Sequence, residues 1–351
     1  MDVDPSPLET RLMEKLIIRT PNHLGDCLMA LPAIAALAKV RPDWEITILH
    51  PGWAGPIYET LASCRKISLP PDKLHGSGAI FYQAGIYMKG KYDIGVVMPP
   101  SFSSAFAIFL PGVKKRYGYT GQGRRILLNN GVNGKKGIGV HRSQSYKYLL
   151  EEAAEKKFEI ENPRIDIAPE IRTDAEKLLD ESGININEPI MAIAAQAVAP
   201  SRRWGSGNYR DLAAQLIKQY GGHIVLLGSP AEADAGAEIA RGDSKIINLC
   251  GKTDIGTAAA VLSRCRLFIG NDSGLAHLAA AVGIPLVVLS GADKPSETSP
   301  LSDRKTVIIK NDLDCISCVK NYCPKKEDRF MRCMKEISVI EVLSAANKYL
   351  E

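Results

Sequence analysis

No glycine-rich G-x-G-x-x-G turn follows the first apolar strand of either half of this 351-residue chain, which weighs against a nicotinamide or flavin dinucleotide enzyme. The lone "GQG" at Gly121 lies beyond the wrong strand. No apolar run approaches the roughly 20 residues that cross a bilayer. The opening "MDVDPSPLETRLMEK" is acidic and contains proline, unlike the basic-then-apolar plan of a signal peptide, so a cytoplasmic chain is expected. Internal repeats and low-complexity tracts are also missing. A net charge of +5 is too mild to imply nucleic acid as a partner. Acidic residues are absent altogether between Asp93 and Glu151, whereas Lys114, Lys115, Arg116, Arg124, Arg125, Lys135, Lys136, Arg142 and Lys147 fall there. Such a one-signed segment either attracts phosphates, carboxylates or an anionic membrane face, or forms a solvated rim.

What is present is ordinary globular composition, 45% hydrophobic and 24% charged, in a chain long enough for two domains. Short β-branched runs alternate with helix-period segments. Strands are expected at "KLIIR" (from Lys15), "EITILH" (Glu45), "RKISL" (Arg65), "YDIGVVM" (Tyr92) and "KRYGY" (Lys115), with helices over Asp26 to Val40, Gly78 to Lys89 and Phe102 to Leu110. A charged, proline-bearing stretch from Glu151 to Pro189 reads as a helix followed by a linker. The alternation then restarts at "IMAIAA" (Ile190) and continues to "IPLVVLSG" (Ile284). The pattern is that of α/β domains with parallel sheets covered on both faces. It divides the chain into a first doubly wound domain (1–170), a linker (171–188), a second domain (189–335) and a C-terminal helix (336–351). Ligands of such folds bind beyond the carboxyl ends of the strands, which places the deep site between the domains.

Three stretches carry candidate chemistry. In "RTPNHLGDCLMALPAIAALAK" (Arg19 to Lys39) an acid, Asp26, stands where a strand has run into a polar loop and a helix begins; it is a base or an N-cap. In "RLFIGNDSGLAHLAAAVGIP" (from Arg266) a strand ends at a polar loop before a helix with His277 in its first turn. Ser273 and Gly274 there would present free backbone N–H groups to an anion such as a diphosphate, and Asp272 alone would be an N-cap. The two arginines of "APSRRW", Arg202 and Arg203, stand on a loop where an arginine can fork onto phosphate oxygens, while Trp204 reads as packing. Glu232 in "LLGSPAEADA" sits just past a strand end, to accept hydrogen bonds from ribose hydroxyls or simply to start a helix. Finally, Cys315, Cys318, Cys323 and Cys333 follow a C-x2-C-x4-C-x9-C spacing, which suits one structural zinc or a reduced, metal-free cluster. Cys27, Cys64, Cys250 and Cys265 lie in apolar contexts and read as core.

Taken together, "LGDCLMALPAIAAL", "PPSFSSAFAIFLPGVKKRYGYTGQGRRILL", "PSRRW", "GSPAE" and above all "GNDSGLAHLAAAVGIPLVVLSG" resemble glycosyltransferase family 9, the ADP-heptose:lipopolysaccharide heptosyltransferases, over nearly the whole chain. The resemblance implies a GT-B fold with an acceptor domain, a donor domain and a final helix that returns to the first domain. It also implies inverting transfer of heptose from ADP-heptose to the inner core of lipopolysaccharide, on a lipid A-Kdo acceptor at the inner membrane surface. By position, Asp26 matches the family's catalytic aspartate, Arg202 its phosphate-contacting lysine, Glu232 its ribose-binding glutamate, and Asp272, Ser273, Gly274 and His277 its donor loop. Thr253 falls at the adenine pocket. Asn22, His23, Arg124 and Arg125 stand as acceptor contacts. The chain departs from the family's "KxWP" in having Arg202 and Gly205, and "AQAVAPS" lacks a hydroxyl residue found in some members.

An inverting displacement needs a base on the acceptor side and positive charge on the leaving-group side. Asp26 and Arg202 supply these from different domains, with the helix start at Ser273. No DxD-like pair stands near the expected cleft, so no catalytic metal is expected. Two other readings of the residues remain: a nucleotide-sugar epimerase or hydrolase on the same double-domain fold, and a non-enzymatic nucleotide- or metal-binding protein built around the cysteines.

Overall fold

The computed structural model describes residues 13–351, so most of the N-terminal stretch read as lacking a signal sequence lies outside the described residues. The first half runs β1 (Glu14–Arg19), α1 (Leu24–Val40), β2 (Trp44–Pro51), α2 (Gly55–Tyr58), β3 (Arg65–Leu69), α3 (Ser77–Gly90), β4 (Ile94–Val97), α4 (Phe102–Phe109), β5 (Lys115–Tyr119), β6 (Asn130–Val132) and α5 (Arg142–Ala154). The second runs α6 (Pro169–Glu181), β7 (Ile190–Ala194), α7 (Ser206–Tyr220), β8 (His223–Leu226), α8 (Ala233–Ala240), β9 (Ile246–Asn248), α9 (Ile255–Ser263), β10 (Leu267–Asn271), α10 (Gly274–Val282), β11 (Leu286–Leu289), α11 (Pro295–Thr298) and β12 (Lys305–Ile308). Two last helices, α12 (Arg332–Lys335) and α13 (Val339–Leu350), close the chain.

Each half holds one six-stranded parallel sheet, ordered β3-β2-β1-β4-β5-β6 and β12-β11-β10-β7-β8-β9. The strand order reverses between β1 and β4 in the first sheet and between β7 and β10 in the second. Those reversals are where doubly wound sheets bind ligands. The central strands are buried along their length, which is why they read as continuous Ile, Val and Leu runs rather than alternating ones.

Three features depart from the sequence reading. The helix expected to open at Glu151 instead ends there: α5 packs against α1, and the chain leaves it at Glu155 in a left-handed turn (φ 52°). Most of the linker assigned to 171–188 is α6, whose Ala175 and Leu179 are buried and which packs on α9. Its charges sit on the outer face, and their density masked the period. The C-terminal helix does not return to the first domain; α13 docks on α7, β10 and β11, burying Val342, Ala345 and Ala346. The strands β6 and β12, three and four residues long, are too short to have announced themselves.

Candidate active site in the interdomain cleft

The helices that start at the two strand reversals meet head to head. α1 begins directly after β1 and α10 directly after β10, so both N-termini point into the space between the sheets. Contact is close. A Cβ on Gly274 would lie 2.9 Å from Leu24 Cβ, and one on Gly25 would lie 3.0 Å from His277 Cδ2. The space that Gly25 leaves is filled by the His277 ring.

Asp26 is not the cap of α1. That position belongs to His23, which is exposed and makes no capping bond, whereas Asp26 lies in the first turn. Its carboxylate accepts a hydrogen bond from the Tyr146 hydroxyl at 3.1 Å. Tyr146, on α5, is buried; burial and the Asp26 charge push its phenol well above the ordinary range, so it acts as a fixed donor. The sequence had not pointed to Tyr146, since a helix with a single inward phenol resembles any other core helix.

Across the cleft, Ser273 caps α10 without a side-chain bond, and its hydroxyl oxygen is buried without a partner. The amides of Gly274 and Leu275 have no acceptor among the described residues, as the first N–H groups of a helix require an outside one. Asp272 is likewise not a cap. It is 6% exposed and receives the Thr298 hydroxyl at 3.4 Å, with His277 Nε2 3.9 Å away. Burial and the nearby Asp293 carboxylate push Asp272 up to about 7, against the pull of Arg202. Burial, aided by the charges of His141 and Lys305, lowers His277 to about 3, so its ring is neutral at physiological pH. Arg202 pairs with Asp293 at 2.8 Å, and burial raises that carboxyl to about 6. Asp293 Oδ2 and Arg202 Nε are left unpartnered, so the pair has capacity for a further polar group. Neither Asp293 nor Lys305 carried a sequence signal; both approach only through the return of the chain around β11 and β12.

A cavity of about 750 Å³ opens beside these helix ends. Glu232, Thr253, Ser273 and Gly274 line it from the second domain, and Leu24, Trp53 and Pro56 from the first. Asp26, Arg202, Asp272 and His277 are not among its walls. Glu232 also closes a capping box, in which its Oε2 accepts from the Ser229 backbone N–H and hydroxyl, and this leaves Oε1 for a ligand. Trp204 is packing, as read: it is buried edge-on to Tyr209 and donates to the Ile337 carbonyl.

On the acceptor side the structure redistributes the expected roles. Arg124 is buried, and its guanidinium is spent on the carbonyls of Tyr119 and Pro100 and on Gln122. It fixes a loop and is not offered to a ligand. Arg125 beside it is exposed. Asn22 uses its side-chain carbonyl to receive Arg19, a buried guanidinium that otherwise bonds Thr20 O and Gln83 Oε1 and has no carboxylate partner among the described residues. Arg19 therefore puts an uncompensated positive charge at the carboxyl end of β1. In the basic segment, Lys114, Lys136 and Lys147 are paired with Asp93, Glu152 and Glu151, so fewer cations are free than the sequence implied.

The four clustered cysteines line one small cavity of about 30 Å³, yet no three His, Cys, Asp or Glu side chains among the described residues stand in a metal-holding arrangement. Cys323 Sγ is turned to accept the Met331 N–H at 3.4 Å. Burial and the other three thiols push Cys333 up to about 11. The segment braces the Arg202 loop, since Ser201 bonds the carbonyls of Lys320 and Asn321. Cys27, Cys64, Cys250 and Cys265 are buried, as expected.

Residues 87–328 match the family model of glycosyltransferase family 9 (heptosyltransferase). The chain belongs to this family. Among curated relatives, this family 9 glycosyltransferase is 30% identical over 306 residues to lipooligosaccharide heptosyltransferase 2 of Haemophilus influenzae, covering 84% of this chain and 88% of that one. Its fold superimposes on the ADP-heptose LPS heptosyltransferase II of E. coli with a TM-score of 0.79 at 25% identity, over 96% of this chain and 98% of the other. A family 9 glycosyl transferase from Veillonella parvula has the same fold, with a TM-score of 0.84 at 21% identity, covering 100% and 98%. The expected GT-B architecture is thus the architecture of the family 9 enzyme, and the epimerase, hydrolase and non-enzyme readings are not favoured.

Proposed function

We propose that this enzyme moves heptose from ADP-heptose, with inversion, onto an inner-core sugar of a lipid-linked lipopolysaccharide precursor, with Asp26 as general base. Its similar relatives carry the names heptosyltransferase 2 and II, and the reading adopts that type. The observation that carries the mechanism is the meeting of α1 and α10, with Asp26 held by Tyr146 on one side and free amides on the other.

The acceptor oxygen forms its bond to the anomeric carbon as the bond from that carbon to the diphosphate breaks. The acceptor proton passes to the Asp26 carboxylate, and ADP leaves with the bonding pair. A carboxylate is a weak base toward a resting alcohol, so transfer belongs late, when the attacking oxygen has become acidic. Arg202 and the start of α10 take up the charge that builds on the leaving diphosphate, with no metal in that role. Glu232 Oε1 takes the ribose hydroxyls and Thr253 the adenine in this reading, which is supported by both residues lining the cavity. A closed cleft excludes water, which would otherwise hydrolyse the donor. The anionic acceptor is met by Arg125 and by His23 with Asn22, Arg19 lying buried behind them and holding the Asn22 side chain, and the reaction takes place at the cytoplasmic face of the inner membrane.

Incubation with a panel of nucleotide sugars and defined core acceptors, read by mass spectrometry, tests the assignment. ADP-heptose with a core acceptor should give a single heptose addition, unchanged by a chelator. Asp26→Asn should lower turnover about 10²–10⁴-fold with ADP affinity preserved; near-normal turnover in the variant would remove Asp26 from the mechanism.

A further inference from the structure

The sheet of the first domain has two covered faces. On one lie α1 and α5; on the other α3, α4 and the turn at 124–126 share a core with Ile17, Tyr87, Ile108 and Leu128. The outer surface of that second layer is unusually apolar. Phe81 is 67% exposed, Met88 64% and Ile126 79%, and Phe102, Phe109 and Leu110 are also exposed. Phe81 and Met88 stand two turns apart on one side of α3. Phe102, Phe106 and Phe109 stack along α4 with centroids 6.0 and 6.4 Å apart. The turn is tied to this helix because Arg124 donates to the Pro100 carbonyl just before α4 begins.

Soluble monomers rarely leave such side chains grouped on one surface without a use for them. The rim here is of one sign. Neither α3 nor α4 contains an acidic residue, and none occurs from 94 to 150. The nearest acids are neutralised, Asp72 by Lys73 at 2.7 Å and Asp93 by Lys114 at 2.9 Å. Lys89, Lys91 and Arg125 are exposed and make no ion pair among the described residues. The Arg116 guanidinium lies over the Phe109 ring at 5.3 Å, so charge and aromatic surface are interleaved.

We propose that α3, α4 and the 124–126 turn form a docking surface for an anionic phospholipid bilayer, with the aromatic and aliphatic side chains entering the headgroup region and the lysines and Arg125 holding lipid phosphates. The inference rests on the reading above that the acceptor is lipid-linked, and it names the surface that meets the lipid. Two-fold pairing of this face with a second copy would bring two positive rims together, which disfavours a dimer as the occupant. Among the described residues no helix is long and apolar enough to cross a membrane, so the attachment is interfacial and salt-sensitive. It also suits the chemistry, because α4 follows β4, the neighbour of β1, and its N-terminus opens beside the Asp26 end of the cleft.

Sedimentation of the full chain with phosphatidylcholine vesicles, with and without phosphatidylglycerol, tests this. Binding is expected only to the anionic vesicles, weakening with salt. Phe81→Ser/Met88→Ser and Lys89→Glu/Lys91→Glu should each lower partitioning by at least about tenfold. Transfer to a water-soluble, deacylated core acceptor and stabilisation by ADP should be unchanged in both variants. Equal binding by wild type and variants, or no binding by wild type, overturns the proposal. A dimer in light scattering that Phe81→Ser dissolves would assign the face to a second copy instead. Intact vesicle binding without heptose transfer would strike the catalytic reading and leave this surface standing.

Discussion

Asp26 and Asp272 are both aspartates at the mouths of helices, and their surroundings set them to different work. Asp26 is half-buried, with one phenol for a partner, and keeps a lone pair for a substrate proton. Tyr146→Phe removes that hydrogen bond without opening a cavity; kcat should fall about tenfold with KM for the donor unchanged, as steady-state kinetics would show. Asp272 is buried beside a second carboxyl, and its raised pKa has a consequence for stability. A carboxyl whose folded value lies above its unfolded one binds more protons when folded, so its ionisation costs stability as pH rises from about 4 through about 7. Asp272→Asn lifts that cost. Relative to wild type, the variant should gain at least about 1 kcal/mol between pH 4 and pH 8 in thermal melts without ligand. A difference that stays flat with pH would mean that Asp272 is ionised throughout. His277, lowered to about 3, works in the opposite sense, adding stability that fades as pH falls below the histidine range. The comparison is therefore made between variants and not on wild type alone.

At the scale of elements, the site is two helix starts with nothing between them but glycines and the side chains they admit. Gly274 faces Leu24 and Gly25 faces His277, so the approach of α1 to α10 is limited at two points by the lack of a Cβ. Gly274→Ala should push these helices apart by a few tenths of an ångström. We expect a loss of about 1–2 kcal/mol in stability together with a raised KM for ADP-heptose, read by melting and by kinetics; an unchanged KM would separate helix approach from donor binding. These elements were largely legible in the sequence, because β1-α1 and β10-α10 each combine a strand with an apolar centre, a short polar loop and a helix. The elements that were missed have physical reasons. α6 is disguised by its charges, and β6 and β12 are edge strands of three and four residues.

For the whole molecule, the decisive feature is that one hydrophobic cluster runs through both halves. It joins Leu28 and Ile34 of α1 to Ala276 and Leu278 of α10, and Ile57 of α2 to Ala259 of α9. Backbone bonding crosses as well, from Ile165 to the Ala281 carbonyl. Domains that share a core do not unfold independently. Calorimetry should therefore give a single transition that ADP shifts upward as one; two transitions, with only the later one responding to ADP, would show that the halves are separable.

The sequence by itself determined the fold class, the tandem plan and the positions of Asp26, Glu232, Thr253 and the Asp272 loop, because each depends on local pattern: apolar period, polar loop, helix start. Only the tertiary structure decided which of these face a common space, and with what partners. Tyr146 against Asp26, Asp293 against Arg202, the burial of Arg124, the exposure of Phe81 and the docking of α13 on the second sheet all join or separate residues far apart along the chain. Periodicity records how a segment meets its own neighbours; it carries no record of which distant side chain closes over it.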